Sequence, residues 1–171
     1  MTSTPAPPAG RREVRDGTSY VVLTRTFHAP VEDVWAAVTE PERLARWIGT
    51  WTGDPASGEV AFRMTAEGDG VAEETYRIDV CEPPRRLVLR TSVGDDDAEW
   101  KLELDLAESD GVTTLTFAQV MADPAVAENV GPGWDYYLDR LVAAESGRDA
   151  SEVAWDDYYP ARSEHYRAEF S

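Results

Sequence analysis

Alternation of apolar and polar residues predicts several β-strands in the middle of the chain. The clearest is residues 100–106, where an apolar residue at every second position alternates with a charged one. This period of two is typical of a half-buried strand, because successive side chains point to opposite faces of a sheet. Similar patterns predict five further strands, at residues 20–27, 60–64, 71–80, 87–89 and 112–120. Short turns at residues 68–70, 82–84, 94–97 and 109–111 join the later strands.

Helical periodicity occurs on either side of these strands. Residues 31–38 carry apolar side chains three and four positions apart, and residues 41–47 repeat the pattern after a proline. Two short helices are therefore expected after the first strand. The helical signal returns after Pro124 and is interrupted at residues 131–133. From Trp134 to about Ala144, the same spacing predicts a long amphipathic helix.

The element order predicts an α+β protein with an antiparallel sheet covered by the C-terminal helix. Residues 1–16 are rich in proline and alanine and are expected to form a flexible tail. Residues 17–147 are then expected to form a single domain, because a chain of this length can fold around one hydrophobic core. Residues 148–171 are too aromatic for a free linker, and we expect this extension to pack on the domain.

Five local sequences, in order, resemble one known family. They are residues 25–39 (RTFHAPVEDVWAAVT), 41–47 (PERLARW), 82–87 (EPPRRL), 111–116 (GVTTLT) and 133–141 (GWDYYLDRL). The chain from about residue 20 to 145 thereby resembles the SRPBCC (START-like) superfamily, and within it the Hsp-ninety ATPase activator homologues. The resemblance implies a helix-grip fold: a curved antiparallel sheet of about six strands around a long C-terminal helix, with two short helices after the first strand.

The superfamily implies three kinds of function: ligand carriage, cyclase chemistry and chaperone regulation. The eukaryotic chaperone activators have a separate N-terminal chaperone-binding domain, for which the segment before residue 20 is too short. A chaperone partner is therefore the least favoured of the three.

Charge and composition narrow the partners. The net charge of −17 disfavours nucleic acid and anionic membrane surfaces. No apolar stretch is long enough to span a membrane, and no secretory signal is present. The single cysteine, Cys81, precludes an internal disulfide and favours a reducing cytoplasm. Because Lys101 is the only lysine among 16 basic residues, a bacterial genome of high GC content is expected.

The sequence offers no conventional catalytic set. The only histidines, His28 and His165, are far apart in the sequence. Together with the one cysteine they do not match the ligand spacing of zinc sites, so no zinc site is expected. Phosphate-binding and dinucleotide-binding glycine motifs are missing. We therefore assign no catalytic residue, no metal and no cofactor, and we favour a non-enzymatic protein while leaving an enzyme open. Cys81 is expected to be buried and inert.

Aromatic residues on inward faces give a candidate ligand site. Its predicted members are Trp47, Glu74, Tyr76, Trp100, Phe117, Trp134, Tyr137 and Leu138. The aromatic side chains either pack as a core or line a cavity between sheet and helix, with Trp47 at its mouth. Glu74 is either buried there with a raised pKa or wetted at the sheet edge.

Three functions stay open from these features. The favoured one is binding of a small hydrophobic or aromatic molecule in the cavity. The alternatives are a polyketide cyclase- or hydrolase-like enzyme that uses Glu74, Tyr76 or Tyr137, and a chaperone or regulatory partner protein that uses the acidic surface. The sequence does not define the ligand or the oligomeric state, and a homodimer is left open.

Overall fold

The structure, a computed structural model, describes residues 10–68, 71–92 and 99–171. Their strands form one antiparallel sheet in the spatial order β1-β2-β8-β7-β6-β5-β4-β3. The strands are β1 (Arg11–Arg15), β2 (Thr18–Phe27), β3 (Thr50–Thr52), β4 (Glu59–Arg63), β5 (Glu74–Glu82), β6 (Arg86–Ser92), β7 (Glu99–Ser109) and β8 (Val112–Val120). From β3 to β8 each strand pairs with the next in the chain, and β8 returns to pair with β2.

Four α-helices accompany the sheet. They are α1 (Val31–Thr39), α2 (Pro41–Leu44), α3 (Ala127–Glu145) and α4 (Ser163–Glu169). The first two follow β2, as the sequence predicts, and the long helix α3 packs on the sheet's inner face. The α+β class, the antiparallel sheet and the covering helix are thus confirmed. No helix in the described residues is long and apolar enough to cross a membrane.

The sheet has eight strands, so the expectation of about six is wrong by two. Residues 11–15, expected in a flexible tail, form β1, and a two-residue hairpin turn joins β1 to β2. Asp16 and Gly17 both have positive φ, at 50° and 80°, which is the conformation that such a turn requires. The other added strand, β3, lies in the segment 49–58 that reads as a loop. Gly10 of the expected tail is buried against Tyr166, and residues 1–9 lie outside the described residues.

Helix α3 begins seven residues earlier than the periodicity predicts. Gly131, Pro132 and Gly133 lie within its second turn and do not interrupt it. Gly131 and Pro132 are buried, and the ring of Tyr166 from α4 lies directly against Gly131. This tertiary packing holds the helix through two residues that isolated helices avoid.

Two of the predicted turns fall partly or wholly outside the described residues. Strand β5 begins at Glu74 rather than at residue 71, and a 3-10 turn, Thr65–Glu67, precedes Gly68. Residues 69–70 of the expected tight turn, and the whole turn at 94–97, lie outside the described residues. A β-bulge between Ile78 and Val80 shifts the pairing of β5 with β6.

The main core lies between the sheet's inner face and the helices. Alternate residues of β2, β7 and β8, such as Leu23, Leu104 and Leu115, contribute to it together with Leu138 and Leu141 of α3. These positions are the ones that the period of two places inward. A smaller cluster on the outer face joins Tyr20, Val22 and Ala118.

Candidate functional site

A cavity of about 900 Å³ lies between the sheet's inner face and α3. The two short helices α1 and α2 and the connection between β4 and β5 border it as well. Most of its wall is apolar, and tryptophan, tyrosine and phenylalanine side chains are prominent in it. The inner face of β5 lies against this open space and not against packed side chains. The inward residues of β5 are therefore half-buried.

All eight residues of the predicted site border this cavity. From the sheet and the short helices come Trp47, Glu74, Tyr76, Trp100 and Phe117, and from α3 come Trp134, Tyr137 and Leu138. The period of two along β5, β7 and β8 and the helical stripe on α3 are what bring them together. Whether they bind a ligand remains a prediction.

Two tryptophans are held by hydrogen bonds at the cavity wall. Trp47 is only 4% exposed, and its Nε1 donates to the carbonyl oxygen of Ala37 at 3.0 Å, so it forms part of the inner wall rather than the mouth. The Trp134 Nε1 donates to the Oε1 atom of Gln119 at 2.6 Å, and its ring centroid lies 4.2 Å from that of Phe117. These bonds satisfy the indole N–H groups and fix the rings in place.

One part of the wall is polar and carries two carboxylates beside two phenols. The Tyr137 hydroxyl donates to Glu67 Oε1 at 2.9 Å, and Glu74 lies half-buried on the wall beside Tyr76. Burial and the neighbouring charge of Glu67 raise the pKa of Glu74. Burial also raises the pKa of both phenols, which are therefore hydrogen-bond donors at neutral pH.

Cys81 differs from the expectation of a buried, inert cysteine. It is exposed, and it lies after the bulge of β5, where it faces Leu87 across the strand pair at the border of the cavity. A cysteine at a strand end needs a covering element to be buried, and none covers this one. Among the described residues, no group of three or more His, Cys, Asp or Glu side chains is placed to hold a metal ion.

The comparisons with known proteins agree with this geometry. Residues 28–145 match the family described as "Activator of Hsp90 ATPase homolog 1-like protein". The chain belongs to this family. The match covers both short helices, strands β3 to β8 and all of α3, and thus every element that lines the cavity except the C-terminal extension. The search among curated proteins finds no match.

Solved structures of the same helix-grip fold extend over nearly the whole chain. CalU16 from Micromonospora echinospora is 26% identical in its crystal structure, with 95% of this chain and 96% of that chain covered and a TM-score of 0.68. Its solution structure is similar at a TM-score of 0.73 and 25% identity, over 99% and 97% of the two chains. DynU16, a protein of the dynemicin biosynthetic locus, is 25% identical over 77% of this chain and 49% of that one, with a TM-score of 0.58.

The C-terminal extension, beyond the residues matched by the family, also borders the cavity. Trp155 is 42% exposed and lines the opening, where its ring meets Tyr136 of α3 edge to face at 5.0 Å and stacks on Tyr159 at 5.6 Å. Sequence reasoning placed neither Trp155 nor Tyr136 in the site. Tyr136 lies next to the predicted Tyr137 but off the main apolar stripe, and the extension has no periodicity that could position Trp155.

Hydrogen bonds from two tyrosine hydroxyls hold the extension against α3. The Tyr158 hydroxyl donates to Asp139 at 2.5 Å, while Tyr166 donates to Asp135, a fully buried residue. Arg25 of β2 pairs with both aspartates, at 2.8 Å to Asp135 and 3.0 Å to Asp139. The sheet, the cavity helix and the extension therefore meet at one buried cluster.

Proposed function

We propose that this protein binds a small hydrophobic or aromatic molecule in the cavity between the sheet and α3. The observation that carries the proposal is the cavity itself, of about 900 Å³ and walled mainly by apolar and aromatic side chains. Ligand pockets in proteins are typically 300–1,000 Å³, mostly apolar, with a few placed polar groups. A void of this size between well-packed elements forgoes packing energy, which a ligand would restore.

The similar structures support a small-molecule role. DynU16 belongs to a biosynthetic locus, where proteins meet small molecules, and it shares this fold at 25% identity. Family membership agrees with such a role without assigning a ligand, because one fold carries many functions.

The test is ligand binding with a filled-cavity control. Native mass spectrometry of freshly purified protein should reveal a co-purified molecule, and a thermal-shift screen of flat aromatic compounds should give hits. Binding at a hundredfold excess over Kd stabilises the native state by about 2.7 kcal/mol. Tryptophan fluorescence should change as well, because several indoles border the cavity.

Two variants should abolish the hits while the fold survives. Leu138→Trp fills the cavity from α3, and Leu89→Trp fills it from β6. Val14→Trp, at a site that is 58% exposed on the edge strand β1, is the matched control and should bind like the wild type. Equal binding by all three variants would contradict the proposal.

A second candidate is a cyclase- or hydrolase-like enzyme, favoured by the polar part of the wall. There, the raised pKa of Glu74 suits a proton donor, and the phenol of Tyr76 can donate to a carbonyl oxygen. If the protein turns over a bound molecule, Glu74→Gln should abolish turnover and keep binding. Unchanged turnover would remove Glu74 from any mechanism.

A third candidate follows from the family name alone. A chaperone partner would contact the outer surface, and the net charge of −17 would favour a basic face on it. A ligand screen without hits would favour this candidate over the other two. We propose a cytoplasmic location for any of the three functions, from the single cysteine.

A further inference from the structure

The charged groups of the cavity are all of one sign. Among the described residues, its lining includes two carboxylates, the exposed Glu67 and the half-buried Glu74, and no arginine, lysine or histidine. The segments 1–9, 69–70 and 93–98, outside the described residues, contain no basic residue in their sequence either. A ligand in this cavity therefore meets two carboxylates and, within the described lining, no basic side chain.

Neither carboxylate is neutralised by a neighbour within the described part of the chain. Glu67 accepts one hydrogen bond, from the neutral hydroxyl of Tyr137, and Glu74 has no ion pair. The nearby Arg140 is engaged elsewhere, because its guanidinium donates to the carbonyl oxygens of Trp47 and Ala150 at 2.8 and 3.0 Å.

Aromatic rings flank both carboxylates. Tyr76 lies beside Glu74 on β5, and its ring meets that of Phe62 edge to face at 5.3 Å. Tyr137 reaches Glu67, and its ring centroid lies 6.2 Å from that of Trp134. Ring faces together with carboxylates are the surroundings in which proteins hold organic ammonium groups, through cation–π contacts and ion pairing.

We infer that the cavity is built for an apolar, aromatic molecule that carries an amine, with the ammonium group placed between Glu67 and Glu74. This inference rests on the proposed function and names its ligand class. The net charge of −17 acts in the same direction, since it favours entry of a cation and disfavours an anion. Fatty acids and aromatic carboxylates are accordingly expected to be poor ligands.

Three probes of nearly equal shape test the inference: naphthylmethylamine, naphthylmethanol and naphthoic acid, substituted at the same ring position. Their Kd values are measured by tryptophan fluorescence and calorimetry at one neutral pH and moderate salt. The amine should bind at least about tenfold more tightly than the alcohol, and the acid should bind most weakly.

Isosteric variants then locate the preference. Glu74→Gln and Glu67→Gln should each reduce the amine-to-alcohol ratio severalfold, and together they should bring it near one. Glu73→Gln is the matched control, because Glu73 is exposed and pairs with Arg63 at 2.9 Å outside the cavity. It removes the same charge from the protein and should leave the ratio unchanged.

The outcomes separate the two proposals. Equal binding of amine and alcohol, blocked by Leu138→Trp, would overturn the amine inference and leave cavity binding intact. A ratio that Glu73→Gln lowers as much as Glu74→Gln would also overturn it, because the preference would then arise from net charge alone. Failure of all three probes to bind would overturn the amine inference together with the proposed function.

Discussion

The second turn of α3 carries two glycines with opposite surroundings, and this contrast gives a sharp test of the structure. A Cβ atom added to Gly131 would lie 2.3 Å from ring carbons of Tyr166, which is fully buried. A Cβ added to Gly133 would meet no atom within 4 Å. We therefore consider Gly131→Ala and Gly133→Ala, two identical changes two residues apart in one helix.

The two substitutions are expected to change the free energy of unfolding in opposite directions. In a helix interior, alanine is more favourable than glycine by about 0.5–1 kcal/mol, so Gly133→Ala should stabilise the protein by roughly that amount. Gly131→Ala gains the same backbone contribution but forces a buried ring back by more than about 1 Å, since carbon contacts prefer 3.5–4.0 Å. Overpacking of this kind costs about 1–3 kcal/mol, and the net loss should be about 1–2 kcal/mol.

Thermal unfolding by calorimetry, with urea titration as a second measurement, checks both values. For a chain of this length 1 kcal/mol corresponds to about 2–4 °C, so Tm should rise by about 1–4 °C in Gly133→Ala and fall by about 2–8 °C in Gly131→Ala. In a Tyr166→Ala background, Gly131→Ala should become stabilising, because the obstructing ring is gone. An equal rise in both single variants would refute the packing of α4 on α3.

Three further predictions concern the cavity and the buried cluster. Trp100→Ala should cost clearly less than the 3–5 kcal/mol of a fully packed tryptophan, because Trp100 is half-buried and borders the cavity; a full loss in urea unfolding would mean that the space around it is filled. Because the pKa of Glu74 is raised on folding, the folded state favours the protonated carboxyl. The stability that this preference contributes is present below the ordinary pKa of 4.5 and is lost as pH rises through the raised pKa. Glu74→Gln should therefore gain stability over the wild type as pH rises, whereas a pH-independent difference would contradict the assignment. Arg25→Met should cost about 1–3 kcal/mol, because the buried Asp135 loses its closest cation and keeps Arg162 at 3.4 Å, while Arg63→Met at the exposed surface should change stability by less than about 1 kcal/mol; equal losses would argue against the buried cluster.

Strand parity was predictable from the sequence in β7 and β8 because the main core lies on one face of the sheet. In β7 the inward positions Leu102, Leu104 and Leu106 are nearly inaccessible, as the alternation indicates. The same argument placed Leu115 and Phe117 of β8 correctly. A one-residue slip would have put charged side chains into the core, so this register is strongly specified.

Elements without a buried face of their own were harder to predict. Strand β1 has charged residues at four of its five positions and an exposed valine, so it shows no alternation. The available signal was the Asp16–Gly17 pair, which favours a two-residue hairpin turn and so a strand on each side of it. The first turns of α3 were missed for a related reason, since local propensity at Gly131 and Pro132 opposes a helix that only the packing of Tyr166 reveals.

The sequence left open whether the inward aromatic side chains pack as a core or line a cavity, because the pattern of apolar residues shows which way a side chain points and not what it meets there. Phe117 of β8 and Leu23 of β2 pair across the two strands and both point inward into the core, yet Phe117 borders the cavity and Leu23 does not. Arg25, two residues from Leu23 along β2, joins α3 through Asp135, and β2 lies away from β5 in the sheet. The space between α3 and the sheet is therefore expected to depend on how the helix is held. Substitutions in the buried cluster should change ligand affinity without touching the ligand.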